Sequence, residues 1–365
     1  MPANWQVKKK ISKAPQQFST FMKILYGIQG TGNGHISRAK EIIPHLRKYN
    51  QVDILISGTQ AEVQLHWEIK YRYHGFGFVF GKNGGVDIWS TWKNLRTFEL
   101  IKDIVQLNLD EYDLIISDFE PISAWSAKLH GKPCLGLSHQ ASLLNPHVPI
   151  ATHKPFWMDF FLRNYAPSTD QIGFHFNSYD RGIFPPVIRK EIREATPINE
   201  GHITVYLPAY HDEVLLPLFL NIPDVEWQVF CKSRRHIETH RNVQLRPVDG
   251  DDFTKSLVSC GGILCGAGFE TPAEAMYLGK KVFVVPMFNQ YEQRCNAVAA
   301  HAIGCSLASQ IESSFTYKLR SWIEYGKPVV NKQEDPIPAL MKLIDKYGHK
   351  PEENSQGNWI AELTL

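Results

Sequence analysis

No apolar run in this sequence approaches the roughly 20 residues that a bilayer-spanning helix needs, which excludes an integral membrane helix. The six cysteines (Cys134, Cys231, Cys260, Cys265, Cys295 and Cys305) form no C-x-x-C and no paired cysteine–histidine spacing. A zinc module or redox pair is therefore not expected, and reduced, mostly buried thiols are. Charge of one sign is lacking too, since the net charge is +2 and Lys8, Lys9, Lys10 and Lys13 stand without an acid in residues 1–21. The remaining body is slightly acidic and has no basic footprint for nucleic acid. Residues 1–21 lack the apolar stretch of a secretory signal and read as a disordered basic arm, with the folded chain starting at Met22. There is no low-complexity segment.

What is present is an alternation of apolar runs and helical patterns. A chain of 365 residues exceeds one ordinary core and suits two domains facing a cleft. The most informative stretch is Ser259 to Asn296. An apolar run (Gly262 to Cys265) meets a glycine turn at Gly266 and Gly268, a helix follows from Thr271-Pro272 to Gly279, and a second apolar run (Val282 to Val285) ends at Pro286. Strand, turn, helix, strand aims backbone N–H groups at an anion over the helix start. A phosphate-bearing ligand fits that place.

The pattern also opens the chain. Lys23 to Ile28 runs into Gly30-Thr31-Gly32-Asn33-Gly34-His35, and a helix with Ile36, Ala39, Ile42, Ile43 and Leu46 on one face follows, with Pro44 expected to kink it or shift its carbonyl partners. Val52 to Ile56 and Asp113 to Ser117 continue the parallel-sheet pattern. Residues 65–92 form an aromatic, glycine-containing excursion, and residues 156–165 an aromatic helix for which core packing is expected. A second alternation begins at Ile203, after a crossing near Phe184-Pro185-Pro186. The expected organisation is a domain at 22–185, a linker at 186–200, a second domain at 201–332, a closing helix at 333–350 and a tail at 351–365.

Several side chains could carry chemistry. His35 sits at a helix mouth, and Asp118 ends another strand of the same half. Asp118 could accept the His35 N–H and leave the other ring nitrogen to take a proton from a hydroxyl; equally, His35 could be a helix-entrance residue and Asp118 a helix cap. The G-T-G-N-G-H loop lacks the third glycine and the strand-end acid of a dinucleotide fingerprint, which disfavours an NAD enzyme. Thr271-Pro272-Ala273-Glu274 has the form of a capping box, and Asn289 with Glu292 could cap the helix from Gln290 to Ala302. Gln290, Gln293, Arg294 and Asn296 cluster where sugar hydroxyls would be bound. Asp249-Gly250-Asp251 has the D-x-D form of a metal-bound nucleotide site, but a cap for the helix Phe253 to Val258 is the favoured assignment.

Gly266, Gly268, Thr271, Glu274, Gly279, Pro286, Gln290, Gln293 and Asn296 together resemble the donor motif of two-domain GT-B glycosyltransferases, the group of MurG-like enzymes and UDP-glycosyltransferases. Gly30 to His35 resembles that group's N-terminal glycine loop, and Asp118 stands where several members pair an acid with the histidine. The resemblance implies two Rossmann-like α/β/α domains. It implies an inverting, metal-independent transfer from a nucleotide diphosphate sugar, UDP being the expected nucleotide, with no cofactor. Glu274 would bind ribose, the turn Gly266-Ala267-Gly268-Phe269-Glu270-Thr271 the diphosphate, Arg246 to Val248 the base, and Gln290 and Gln293 the donor sugar. Plant and animal members carry a phosphate-contacting histidine where this chain has Gly266, so backbone N–H groups, helped by Arg234 or His211, would take that role. A cytoplasmic protein is expected, with an acceptor that is apolar, lipid-linked or part of a cell-envelope glycan, and with peripheral membrane contact. A nucleotide-sugar-binding protein without transfer and an epimerase or hydrolase are the competing readings.

Overall fold

A computed structural model describes residues 21–58, 65, 67–75, 97–152 and 154–348. The basic arm at 1–20, most of the aromatic excursion at 65–92 and the tail at 351–365 lie outside the described residues.

The first half is a seven-stranded sheet made of β1 (Lys23–Gln29), β2 (Gln51–Ser57), β3 (Tyr71–Tyr73), β4 (Leu114–Asp118), β5 (Cys134–Ser138), β6 (Asp170–Phe174) and β7 (Ile183–Phe184). The strands are all parallel and run in the order β3-β2-β1-β4-β5-β6-β7. Ile24, Leu25, Tyr26 and Ile28 of β1 are all fully buried because helices cover both faces. One face carries α1 (Asn33–Leu46) and the other α2 (Thr97–Gln106) and α3 (Pro121–Leu129). Pro44 falls in the last turn of α1, and the helix continues through it to Leu46. The strand order reverses between β1 and β4, which opens a crevice at their C-terminal ends. Short helices α4 (His139–Ser142), α5 (Met158–Asn164) and α6 (Lys190–Arg193) complete this half and the crossing.

The second half repeats the plan with β8 (Ile203–Tyr206), β9 (Trp227–Cys231), β10 (Glu238–His240), β11 (Val243–Pro247), β12 (Gly262–Gly266), β13 (Lys281–Val285) and β14 (Ser306–Leu307). Their order is β10-β11-β9-β8-β12-β13-β14, with β10 alone antiparallel to its neighbour. The switch point lies between β8 and β12, at the glycine turn. Helices α7 (Asp212–Leu220), α8 (Gly250–Ser259), α9 (Glu270–Tyr277), α10 (Tyr291–Ala302) and α11 (Phe315–Tyr325) flank the sheet. The final helix, α12 (Ile337–Gly348), returns to pack on α1 of the first half. One buried cluster runs through both halves, joining Ile36 and Phe174 to Phe269, Ala273 and Leu340. All six cysteines are buried and free.

Core packing for the aromatic segment at 156–165 is corrected. Met158 and Leu162 face inward, but Phe156 is 98% exposed and Phe160 72%, with Trp157 half exposed. Helix α5 has seven residues, so only one narrow stripe can reach the core.

Candidate active site

His35 and Asp118 meet at the first switch point. Asp118 is the last residue of β4, in register with Ile28 of β1, so the loop that follows β1 folds back over it. The His35 Nδ1 lies 2.7 Å from Asp118 Oδ1. A carboxylate only accepts, so the shorter contact puts the proton on Nδ1 and leaves the Nε2 lone pair open, and Arg38 Nη2, 3.1 Å from the same nitrogen, donates to Asp118 Oδ1 at 2.6 Å rather than to the ring. Nε2 has no hydrogen-bond partner among the described residues. Asp118 is not the cap of α3: Glu120 is, accepting from the N–H groups of Ile122 and Ser123 at 2.8 and 2.6 Å. Phe119 between them adopts φ +53°, and this left-handed step lets consecutive acids face different ways.

The sequence reading missed Arg38. It is buried on the inner face of α1, where Nη2 and Nε donate to Asp118 Oδ1 and Oδ2 at 2.6 and 3.0 Å. Nη1 reaches Glu270 Oε1 of the second half at 2.5 Å. A charged residue between Ile36 and Ala39 on an apolar face was the available signal. Burial alone would push Asp118 up, but the charges of Arg38 and then His35 hold its carboxyl below the usual aspartate value.

In the second half the capping box is not made. Helix α9 starts at Glu270, two residues before the Pro272 start that a Thr271 cap would give, with Phe269 at the N-cap and no side-chain bond from it. Glu274 turns instead to Arg189 in the crossing segment, accepting from Nε at 2.6 Å and Nη2 at 2.8 Å. Nor do Asn289 and Glu292 cap α10. Gln290 is the N-cap without a side-chain bond, Asn289 adopts φ +62°, and Glu292 accepts from Gln140 at 3.1 Å. Asp249 caps α8 as expected, accepting from Asp251 and Asp252 N–H groups at 3.0 Å. Arg246 pairs with Asp252 at 2.9 Å.

A cavity of ≈ 340 Å³ lies between the halves. Asn33, Gly34, Ser37 and Lys40 of α1 form one wall, and Val248 to Asp251, Glu270, Thr271 and Glu274 the other, with Tyr206, Phe253 and Arg189 between. Asn33, Gly34, Val248, Glu270, Thr271 and Glu274 are thus brought together. Gly30, Thr31, Gly32, His35, Asp118, Arg246, Gly266, Ala267, Gly268, Phe269, Gln290 and Gln293 stand outside the cavity wall. Several of these hold the framework. Phe269 stacks on His139 of the first half at 4.1 Å, Gln293 accepts from the Met287 N–H at 2.9 Å, and Asn296 donates to the Ala267 carbonyl at 3.1 Å. Ser37, Lys40, Arg189, Tyr206 and Phe253 were not expected in the site; they become visible only when the halves meet.

Two parallel α/β sheets with facing switch points define the GT-B class of glycosyltransferases. The chain belongs to glycosyl transferase family 1, whose model matches residues 22–319. Solved structures share the fold at low identity. MurG of Acinetobacter baumannii has a TM-score of 0.52 at 16% identity, over 89% of this chain and 99% of its own. A UDP-glucosyltransferase from Polygonum tinctorium that glucosylates indoxyl has 0.54 at 11%, over 93% and 100%. A UDP-N-acetylglucosamine 2-epimerase has 0.51 at 13%, over 91% and 98%. No curated protein sequence matches the chain.

Proposed function

We propose that this glycosyltransferase moves a sugar from a nucleotide diphosphate sugar, with UDP as the nucleotide, to an acceptor hydroxyl with inversion and without a metal. The observation that carries the reading is the His35–Asp118 pair, with Nδ1 held at 2.7 Å, beside a cavity whose far wall is the uncapped start of α9. His35 Nε2 takes the acceptor proton, and the acceptor oxygen attacks the anomeric carbon from the face opposite the diphosphate. Asp118 orients the ring and stabilises the imidazolium. The free N–H groups of α9 meet the negative charge growing on the leaving group, the place a metal would otherwise take. The nucleoside lies toward Val248 and Glu274, against the Tyr206 and Phe253 rings, which pack on each other at 5.4 Å.

The proposal extends to an apolar, lipid-linked acceptor and contact with a membrane surface on its cytoplasmic side. No helix among the described residues is long and apolar enough to cross a membrane. An open groove on the first half is walled by Ile101 and Val105 of α2, Leu129 of α3, and Trp157 and Phe160. Its inner end, Tyr165, stacks on Phe119 at 4.7 Å and accepts from Gln29 at 3.1 Å, which ties the groove to the ends of β1 and β4. Aromatic rings with cations alongside, such as Lys128 over Trp125, suit a headgroup region.

The test is incubation with a panel of UDP-, GDP- and TDP-sugars, with and without membrane lipid extract. Transfer that requires the extract and a UDP-sugar is the expected result; sugar release or conversion without acceptor means hydrolase or epimerase. His35→Ala should lower transfer by about 10²–10⁴-fold and leave UDP binding intact. Equal loss of both would reduce His35 to a structural residue.

A further inference from the structure

Glu270 is the first residue of α9, lines the cavity, and reaches the His35–Asp118 pair through Arg38. The side chains that the sequence suggested beside the glycine turn do not come here. Arg234 is committed to Asp212 and Glu238, His211 is exposed at the N-cap of α7, and neither lines the cavity. The guanidinium that does meet the start of α9 is Arg38, from the other half of the molecule. Gly34 makes the approach possible, because a Cβ there would lie 2.3 Å from Glu270 Oε2.

Arg38 divides one positive charge between two carboxylates. Nε and Nη2 donate to Asp118, Nη1 donates to Glu270 at 2.5 Å, and the guanidinium lies over the Phe174 ring at 5.4 Å. Arg38 and Asp118 are buried, while the Glu270 side chain is 21% exposed. Burial works against the Arg38 charge, and Asp118 and then Glu270 outweigh it. The other titratable groups that feel this cluster are uncharged at neutral pH. Tyr26 on β1 is kept protonated, by burial first and then by Asp118, and burial keeps His139 of α4 neutral. Two carboxylates and one guanidinium therefore leave the cluster one positive charge short. The proton that His35 takes from the acceptor supplies that charge. Without Glu270, Arg38 would neutralise Asp118 alone, and a guanidinium nitrogen 3.1 Å from His35 Nδ1 would oppose the imidazolium.

We propose that Glu270, from the second half, is a positioning residue for the base of the first half: acting through Arg38, it supplies the negative charge that balances the imidazolium formed at His35. This rests on the reading of His35 as the base and adds to it a group that the first half lacks. Asp118 turns its charge toward His35 because Glu270 shares the guanidinium. The base thus reaches full strength only with the two halves in contact.

Glu270→Gln and Glu270→Ala separate charge from contact, because glutamine keeps an oxygen that accepts from Arg38 Nη1 and removes only the charge. The two variants are compared with wild type and His35→Ala by the pH dependence of kcat, with a UDP-sugar as donor and membrane lipid extract as acceptor, and by calorimetric titration with UDP. Both should lose about tenfold in kcat, and the acid limb of the profile should move about one pH unit lower. UDP affinity should hold or rise, since a negative charge has left the cavity, and retained binding shows that the fold is intact. A Glu270→Gln enzyme that matches wild type while Glu270→Ala falls would overturn the proposal in favour of a contact without charge. A fall in kcat with the acid limb unmoved, or with a proportional loss of UDP affinity, would overturn it in favour of a framework or donor-binding role. Unchanged kcat in both variants beside an inactive His35→Ala would overturn the role of Glu270 and leave the base standing. An active His35→Ala would overturn both.

Discussion

Arg189 grips Glu274 through two parallel hydrogen bonds, Nε to Oε1 at 2.6 Å and Nη2 to Oε2 at 2.8 Å. Both side chains are largely out of water, and Arg189 comes from the segment that joins the two halves. Each carboxylate oxygen keeps a second lone pair, so the pair orients Glu274 without blocking a ribose hydroxyl.

Glu274→Gln should therefore show two effects. UDP affinity falls because a charge-assisted bond, about 1.5–3 kcal/mol, becomes a neutral one. Stability falls as well, since the buried guanidinium of Arg189 loses its counter-charge. Titration calorimetry and thermal unfolding read the two separately. A lowered Tm with unchanged UDP affinity would confine Glu274 to a structural partnership with Arg189.

Two glycines of the opening loop should differ sharply. A Cβ on Gly34 would lie 2.3 Å from Glu270 Oε2, whereas a Cβ on Gly32 meets nothing within 4 Å. Glu270 cannot easily retreat, because Arg38 holds it. Gly34→Ala should cost about 1–3 kcal/mol in overpacking and reduce transfer by loosening the contact between halves. Gly32→Ala should stay close to wild type in both. Matching Tm and activity for the two variants would show that the Gly34–Glu270 approach does not matter.

Stability should fall in mild acid. Burial pushes His139 down, and burial together with neighbouring His139 pushes His175 down to about 2. In the unfolded chain both titrate near about 6.5. Below that pH the unfolded chain binds protons that the native state refuses, so stability is lost as pH falls, approaching about 1.4 kcal/mol per pH unit for His175, with His139 acting in the same direction. Urea unfolding between pH 7.5 and 5 measures the slope, and His175→Phe should flatten it. Parallel slopes for the variant and wild type would remove His175 as a source.

The exposed aromatic face should bind lipid. Phe156→Asp combined with Phe160→Asp should abolish cosedimentation with vesicles containing anionic lipid and leave far-UV circular dichroism unchanged. Undiminished cosedimentation would place membrane contact elsewhere or nowhere.

The α/β alternation, the two glycine turns and the Asp249 cap were legible in the sequence, because apolar periodicity and glycine placement are local properties of the chain. The sequence also placed His35 and Asp118 as strand-end residues that could meet. What it could not decide was the partner of each polar group. Glu274 reads locally as part of a capping box, yet its carboxylate finds a guanidinium 85 positions away in sequence. Arg38 reads as one charge on a helix, yet it bridges Asp118 to Glu270, which lies 232 positions away. Exposure of Phe156 and Phe160 was likewise not legible, since the aromatic spacing pointed to a core and only the packing around the short helix leaves them outside. Buried charges must be matched where burial brings them together, and only the closure of one half on the other determines which charges those are.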